Sequence, residues 1–222
     1  LTQTIGVGKG SVQLEDFEKA DAIFILGQNP GTNHPRILSA IMNARRRGCE
    51  VVAINPLRER GLESFVHPQE PLNTVLDRGT SMSTVYLRPL PGSDVAVLKG
   101  IMKRVLELDR AAGGGVIDHA FVESHTKGFD SFVADLDATS YESVEAASGL
   151  SRAEFETAAR VYADSKATII CWAMGLTQQR NAVDNVIACS NLALLKGNIG
   201  KPGAGLCPVR GHSNVQGDRT VG

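Results

Sequence analysis

The sequence predicts an α/β chain: a doubly wound, mostly parallel sheet with helices on both faces. Two patterns predict it. Continuously apolar runs such as Ala22-Ile23-Phe24-Ile25-Leu26 and Thr168-Ile169-Ile170-Cys171-Trp172 read as strands buried on both faces, because a half-exposed strand would alternate. Between such runs lie segments with apolar residues at helical spacing. Strand, loop, helix and strand follow one another from Ala22 to Ile54, the βαβ unit whose crossover is right-handed.

Taken in order, the opening LTQTIGVGKGSVQLEDF reads as a glycine-spaced loop leading into a polar turn. The first strand ends at Gly27, and the loop GQNPGTNHP leads to a helix over 35–47. That helix carries Ile37, Leu38, Ile41 and Met42 on one side, and Gly48 stops it as a C′ residue. Arg45-Arg46-Arg47 reads as a solvated helix C-terminus, where cations complement the dipole. A second strand over 50–54 ends in Asn55-Pro56. Residues 62–82 are irregular, with a short strand at Phe65-Val66, and a third main strand over 85–88 is ended by Pro89 and Pro91. Ser93 is placed to cap a helix reaching Leu108, with Val95, Leu98, Met102 and Val105 at helical spacing.

Gly113-Gly114-Gly115 reads as a flexible joint, followed by short helices over 118–124 and 128–136. Thr139-x-x-Glu142 and Ser151-x-x-Glu154 are capping boxes that start two more helices. Leu150 and Phe155 staple the second, which runs to Ala163. A strand over 168–172 and a long helix over 178–195 complete the repeating pattern. From Gly197 to Gly222 seven glycines, two prolines and two arginines offer neither strand alternation nor a helical stripe. With Leu1 an unnatural start, the chain reads as one domain, 1–222, of a longer enzyme, with 1–20 and 197–222 as ligand-facing loop segments.

Composition narrows the function. Lys plus Arg number 23 and Asp plus Glu 24, a net charge of −1, which argues against a nucleic-acid partner. No apolar stretch reaches the ~20 residues a membrane helix needs. Cys49, Cys171, Cys189 and Cys207 never approach a C-x-x-C spacing, so neighbouring cysteines build no zinc or iron–sulfur site and no metal ligand is assigned. Cys171 and Cys189 read as buried small hydrophobes, and a reducing cytoplasm is the expected location.

Chemistry should gather where strands end. Gly27-Gln28-Asn29-Pro30-Gly31-Thr32-Asn33-His34 joins strand to helix, where helix amides favour phosphate; a plain Asn/Gly turn fits equally. It lacks G-x-G-x-x-G, so an NAD fingerprint is absent. Asn55-Pro56-Leu57-Arg58 lies where a dinucleotide fold reads ribose; taken alone, a plain turn is the favoured reading. Ala173-Met174-Gly175-Leu176-Thr177-Gln178 offers a close backbone, a soft thioether and an amide; a core methionine before a capping threonine is the alternative. Gly6-Val7-Gly8-Lys9-Gly10-Ser11 is not a G-x-x-x-x-G-K-[ST] phosphate loop.

Taken together, GQNPGTNHPR, INPLRERG, WAMGLTQ and GNIGKPGAGLCPVRGHSNVQGD resemble the molybdopterin oxidoreductases, in particular formate dehydrogenase-type alpha subunits. The resemblance implies a bis(molybdopterin guanine dinucleotide) cofactor with molybdenum or tungsten, of which this domain would bind one guanine dinucleotide. It implies that Gly27, Gln28, Asn29 and His34 line guanosine and pyrophosphate, with Asn55, Leu57 and Arg58 near the nucleotide. Gly92 and Asp94 would approach the guanine. Met174, Gly175 and Gln178 would face the pterin, and Gly8, Lys9 and Gly10 the metal-bound dithiolenes. Arg210 matches the family's active-site arginine, with Gly211, Ser213 and Asn214 beside it, and His212 is a candidate proton relay, with structural hydrogen bonding as the equal alternative. His212, Cys207 and Asn55 stand where the family commonly carries glutamine, asparagine and aspartate. The [4Fe-4S] cluster and the Cys or selenocysteine metal ligand would lie in other domains of the same enzyme. Formate is the expected substrate, with an electron acceptor as a further partner and no membrane segment. A redox-inactive guanine-nucleotide sensor or assembly module is the competing reading, and an NAD-dependent dehydrogenase is disfavoured by the missing glycine fingerprint.

Overall fold

The computed structural model describes residues 1–76 and 78–221. Strands follow in chain order as β1 (Ala22–Leu26), β2 (Glu50–Ile54), β3 (Ser64–Phe65), β4 (Thr80–Ser81), β5 (Val85–Leu87), β6 (Thr168–Trp172) and β7 (Gly205–Pro208). Five of them form one sheet in the order β5-β2-β1-β6-β7, and every neighbouring pair is parallel. The chain builds outward from β1 through β2 to β5, then crosses back to lay β6 against the other side of β1. The order therefore reverses between β1 and β6, and ligands in such sheets bind beyond the strand ends at that reversal.

The continuous apolar runs are explained by the layers. Successive side chains on β1 point to opposite faces, and both faces are covered. Phe24 and Leu26, with Val52, Ile54, Ile170 and Trp172, pack toward α2 (Asp94–Ala111), α3 (Arg152–Asp164) and α4 (Ala182–Leu195). Ile23 and Ile25, with Val51, Ala53, Ile169 and Cys171, pack against Leu38, Ile41 and Met42 of α1 (Pro35–Arg46). A parallel strand covered on two sides has no polar face to display, hence its unbroken hydrophobicity.

Most boundaries fall within a few residues of the sequence reading, and the differences have local causes. The Thr139 box is displaced by one residue: Ser140 caps the helix Tyr141–Ser148 by accepting from Ser143 N. Ser93 stands at the N-cap of α2 as expected but makes no side-chain cap; its hydroxyl donates instead to Leu90 O at 2.6 Å. The Ser151–Glu154 box forms as expected. The long last helix starts only at Ala182, because a separate turn, Met174–Thr177, intervenes after β6. The arginine cluster is partnered rather than merely solvated: Arg46 pairs with Glu70 at 2.6 Å, and Arg47 donates to Phe17 O.

The largest correction concerns the tail. Gly205–Pro208 forms the edge strand β7, in register with Ile169–Trp172, and Val215–Val221 is helical. Four residues that pair with only one neighbour need no alternation, so periodicity missed the strand. Likewise the opening loop contains a short helix, Thr2–Ile5, and a 3-10 turn, Leu14–Glu18.

Candidate functional site

The loops after β1, β2, β5 and β6 meet around a cleft of about 570 Å³. Its tightest point is the reversal itself. Gly27 follows β1 with φ of 55°, and an added Cβ would lie 2.7 Å from Leu176 N and 2.8 Å from Gly175 C. Gly175 N in turn donates to Gly27 O at 3.1 Å. Two loops 148 positions apart thus touch backbone to backbone, which only glycine allows.

Nine of the anticipated cofactor residues line this one cleft: Gly27, Gln28, Asn29, Asn55, Gly92, Asp94, Met174, Gly175 and Gln178. Gln28 is 2% exposed, and neither its Oε1 nor its Nε2 has a partner. A buried amide without hydrogen bonds costs about 1–3 kcal/mol. Asn55 is occupied internally: its Nδ2 donates to Gln28 O at 3.2 Å and its Oδ1 accepts from Leu57 N at 3.5 Å. Burial pushes the Asp94 carboxyl above its ordinary range, partly offset by Gln179 Nε2, which donates to Asp94 at 2.7 Å. Gln179 also donates to Gly175 O at 2.8 Å, joining the β5 and β6 loops.

Gln179 and Glu59 also line the cleft, and the sequence reading did not single them out. Gln179 adjoins the flagged Gln178, and Glu59 lies five positions past β2 in the same connection as Asn55. Strand-end position was the available signal for both; their side-chain direction was not legible. Glu59 Oε2 accepts from Asn29 Nδ2 at 2.5 Å. Asn29 Oδ1 also accepts from Thr32 N, capping the turn Pro30–Asn33.

The tail runs alongside these loops. His34 Nε2 bonds the carbonyl oxygen of Arg210 at 2.8 Å, and an added Cβ at Gly211 would meet Met174 Sδ at 3.7 Å. Arg210 lines a neighbouring recess of about 290 Å³ with Gly8, Trp172 and Thr177. The N-terminal loop is bound to the same edge: Gly10 N donates to Gln216 Oε1 at 2.6 Å and Ser11 N to Leu206 O at 2.9 Å. Lys9 sits half-buried between Gly8 and Gly10.

Other anticipated residues lie outside both recesses. Leu57 is 67% exposed. Arg58 pairs with Glu63 at 2.8 Å and lies over the Tyr86 ring. His212, Ser213 and Asn214 are exposed and line a separate depression with the helix Val215–Val221. Among the described residues, no group of three or more His, Cys, Asp or Glu side chains is assembled to hold a metal ion. No helix among them is long and apolar enough to cross a membrane.

Residues 4–220 match the family model for molybdopterin oxidoreductases. The whole chain is 48% identical to 30% of protein YdeP of Escherichia coli. It is 32% identical to formate dehydrogenase H of the same organism, again over the whole chain and 28% of the relative. Among solved structures, acetylene hydratase from Pelobacter acetylenicus superposes with a TM-score of 0.74 at 19% identity, covering 93% of this chain and 24% of that one. The chain therefore spans under a third of the length of these relatives, which continue well beyond the matched region.

Proposed function

Since the chain belongs to the molybdopterin oxidoreductase family, we propose that it is the domain holding one guanine dinucleotide of a bis-molybdopterin cofactor in a molybdenum or tungsten enzyme. The observation that carries this reading is the buried, unpartnered Gln28 amide in a cleft at the sheet's reversal point. Its donor and acceptor suit a polar nucleotide, and the Gly27–Gly175 contact supplies a wall made of backbone. Asp94 is the carboxylate available to accept the N–H donors of guanine, with Gln179 holding its orientation. Met174 is 45% exposed and presents a polarisable surface to a flat ring. Gly8, Lys9 and Gly10 reach the β7 edge on the side of Arg210.

The bound metal–pterin group supplies the two-electron redox centre. This chain's contribution is to seat the group and to present Arg210 beside it. A guanidinium orients a small carboxylate through two parallel hydrogen bonds and offsets negative charge. Formate, or a similarly small anion, is the substrate class of the intact enzyme on this reading. The iron–sulfur cluster and metal ligand belong to its other domains, and the enzyme works in the cytoplasm. His212 would relay protons only if the tail repositions it from its present exposed place.

Thermal denaturation with GDP, ATP or NAD tests the nucleotide site. A ligand at a hundred times its dissociation constant adds about 2.7 kcal/mol of stability. GDP is expected to stabilise the protein and NAD to leave it unchanged; a response to NAD alone would remove the reading. Metal and pterin analysis of the full-length enzyme, followed by a dye-reduction screen, separates it from a redox-inactive nucleotide module.

A further inference from the structure

We infer that Glu59, not Asn55, reads the ribose of the bound nucleotide, its carboxylate accepting hydrogen bonds from the 2′- and 3′-hydroxyls. The inference rests on the guanine-nucleotide reading above and assigns the sugar subsite within it. Dinucleotide folds place an acidic side chain at the end of the second strand to accept from ribose hydroxyls. Here the first residue after β2 is Asn55, and both ends of its amide are committed, to Gln28 O and to Leu57 N. It ties the β1 loop to the β2 loop and has little left for a ligand.

Glu59 lies on the same connection and lines the same cleft. It is held from two directions. Its backbone N–H donates to Tyr86 Oη at 2.9 Å, and that hydroxyl donates to Leu57 O at 2.8 Å. Its Oε2 accepts from Asn29 Nδ2, and Asn29 is itself fixed as the cap of Pro30–Asn33. One side-chain bond fixes the carboxylate's direction, while Oε1 has no partner among the described residues. A fixed carboxylate with open acceptor positions matches a vicinal diol, which offers two O–H donors side by side. The neighbouring Gln28 amide, also unpartnered, completes a polar wall that a sugar satisfies better than a ring or a methyl group. Glu59 and Asp94 are the two carboxylates lining the cleft, and the second is assigned to the guanine above.

Titration calorimetry on the full-length enzyme prepared without cofactor tests this with GDP, 2′-deoxy-GDP and 2′,3′-dideoxy-GDP. The unaltered protein is expected to bind GDP about tenfold or more tighter than the dideoxy analogue, as loss of hydrogen bonds to a charged acceptor dictates. The 2′-deoxy analogue should fall between them. Glu59→Gln should lower GDP affinity to near that of the dideoxy analogue. Equal affinities for GDP and both analogues in the unaltered protein would overturn the inference while sparing the nucleotide site. Discrimination that survives Glu59→Gln would overturn it too, since another group would then be reading the sugar. Absence of any GDP binding would remove the nucleotide site and the inference together.

Discussion

Replacing Gly27 by alanine tests whether the two loops at the sheet's reversal truly touch. Two costs add. At φ of 55° an alanine is in the left-handed region, worth roughly 1–2 kcal/mol. Its Cβ would also lie 2.7 Å from Leu176 N and 2.8 Å from Gly175 C, main-chain atoms that have no rotamer to escape into. Overpacking of that kind costs typically about 1–3 kcal/mol, so the total is about 2–5 kcal/mol. Two further variants separate the terms. Gly48 has φ of 93° with nothing within 4 Å of an added Cβ, so Gly48→Ala carries the backbone cost alone. Gly175 has no left-handed φ, yet its Cβ would lie 2.6 Å from Gly27 O, so Gly175→Ala carries the collision alone. Urea denaturation followed by the single tryptophan, Trp172 at the end of β6, gives all three differences from midpoint shifts at constant slope. If Gly27→Ala loses no more than Gly48→Ala and Gly175→Ala is neutral, the contact does not exist and the cleft loses its wall.

Three further outcomes are expected. Burial alone would raise the Asp109 carboxyl, but the amides of Ile117 and Val116 and the His119 ring hold it below its ordinary value of 3.8. A carboxylate depressed in the folded state adds stability above its unfolded value and loses it as pH falls through the folded one. The stability gap between the unaltered protein and Asp109→Asn should therefore be widest near neutrality and close below about pH 4; a gap independent of pH in urea titrations would contradict this. Tyr162 is fully buried, donates to Leu192 O and accepts from Asn198 Nδ2 at 3.2 Å. Tyr162→Phe should cost about 1–3 kcal/mol by leaving both groups unpaired, read by calorimetric melting. In the intact enzyme, Arg210→Lys should retain cofactor content but lose most turnover, because one ammonium cannot make a two-pronged contact; near-normal turnover would count against the arginine's assigned part.

The sheet was legible because each β1 residue meets one of two cores, so burial wrote itself into five consecutive apolar residues. The strand-end loops were legible for a related reason. Gly27, Gly92 and Gly175 mark where the chain turns or another backbone comes close, and polar residues beside them had to face the cleft or water. β7 was illegible because an edge strand of four residues buried by neighbours carries no period of its own. Asn55 and Glu59 show the limit within the site. Both residue types fit a sugar, and only the side-chain partners reveal that the first is committed to the β1 loop while the second is open.

His34 grips Arg210 by its main-chain oxygen rather than by its guanidinium. The tether is therefore indifferent to what side chain position 210 carries. Lysine, glutamine or alanine can be installed there with the strap still pinned to the β1 connection, so that losses in turnover report on the missing functional group and not on a displaced segment.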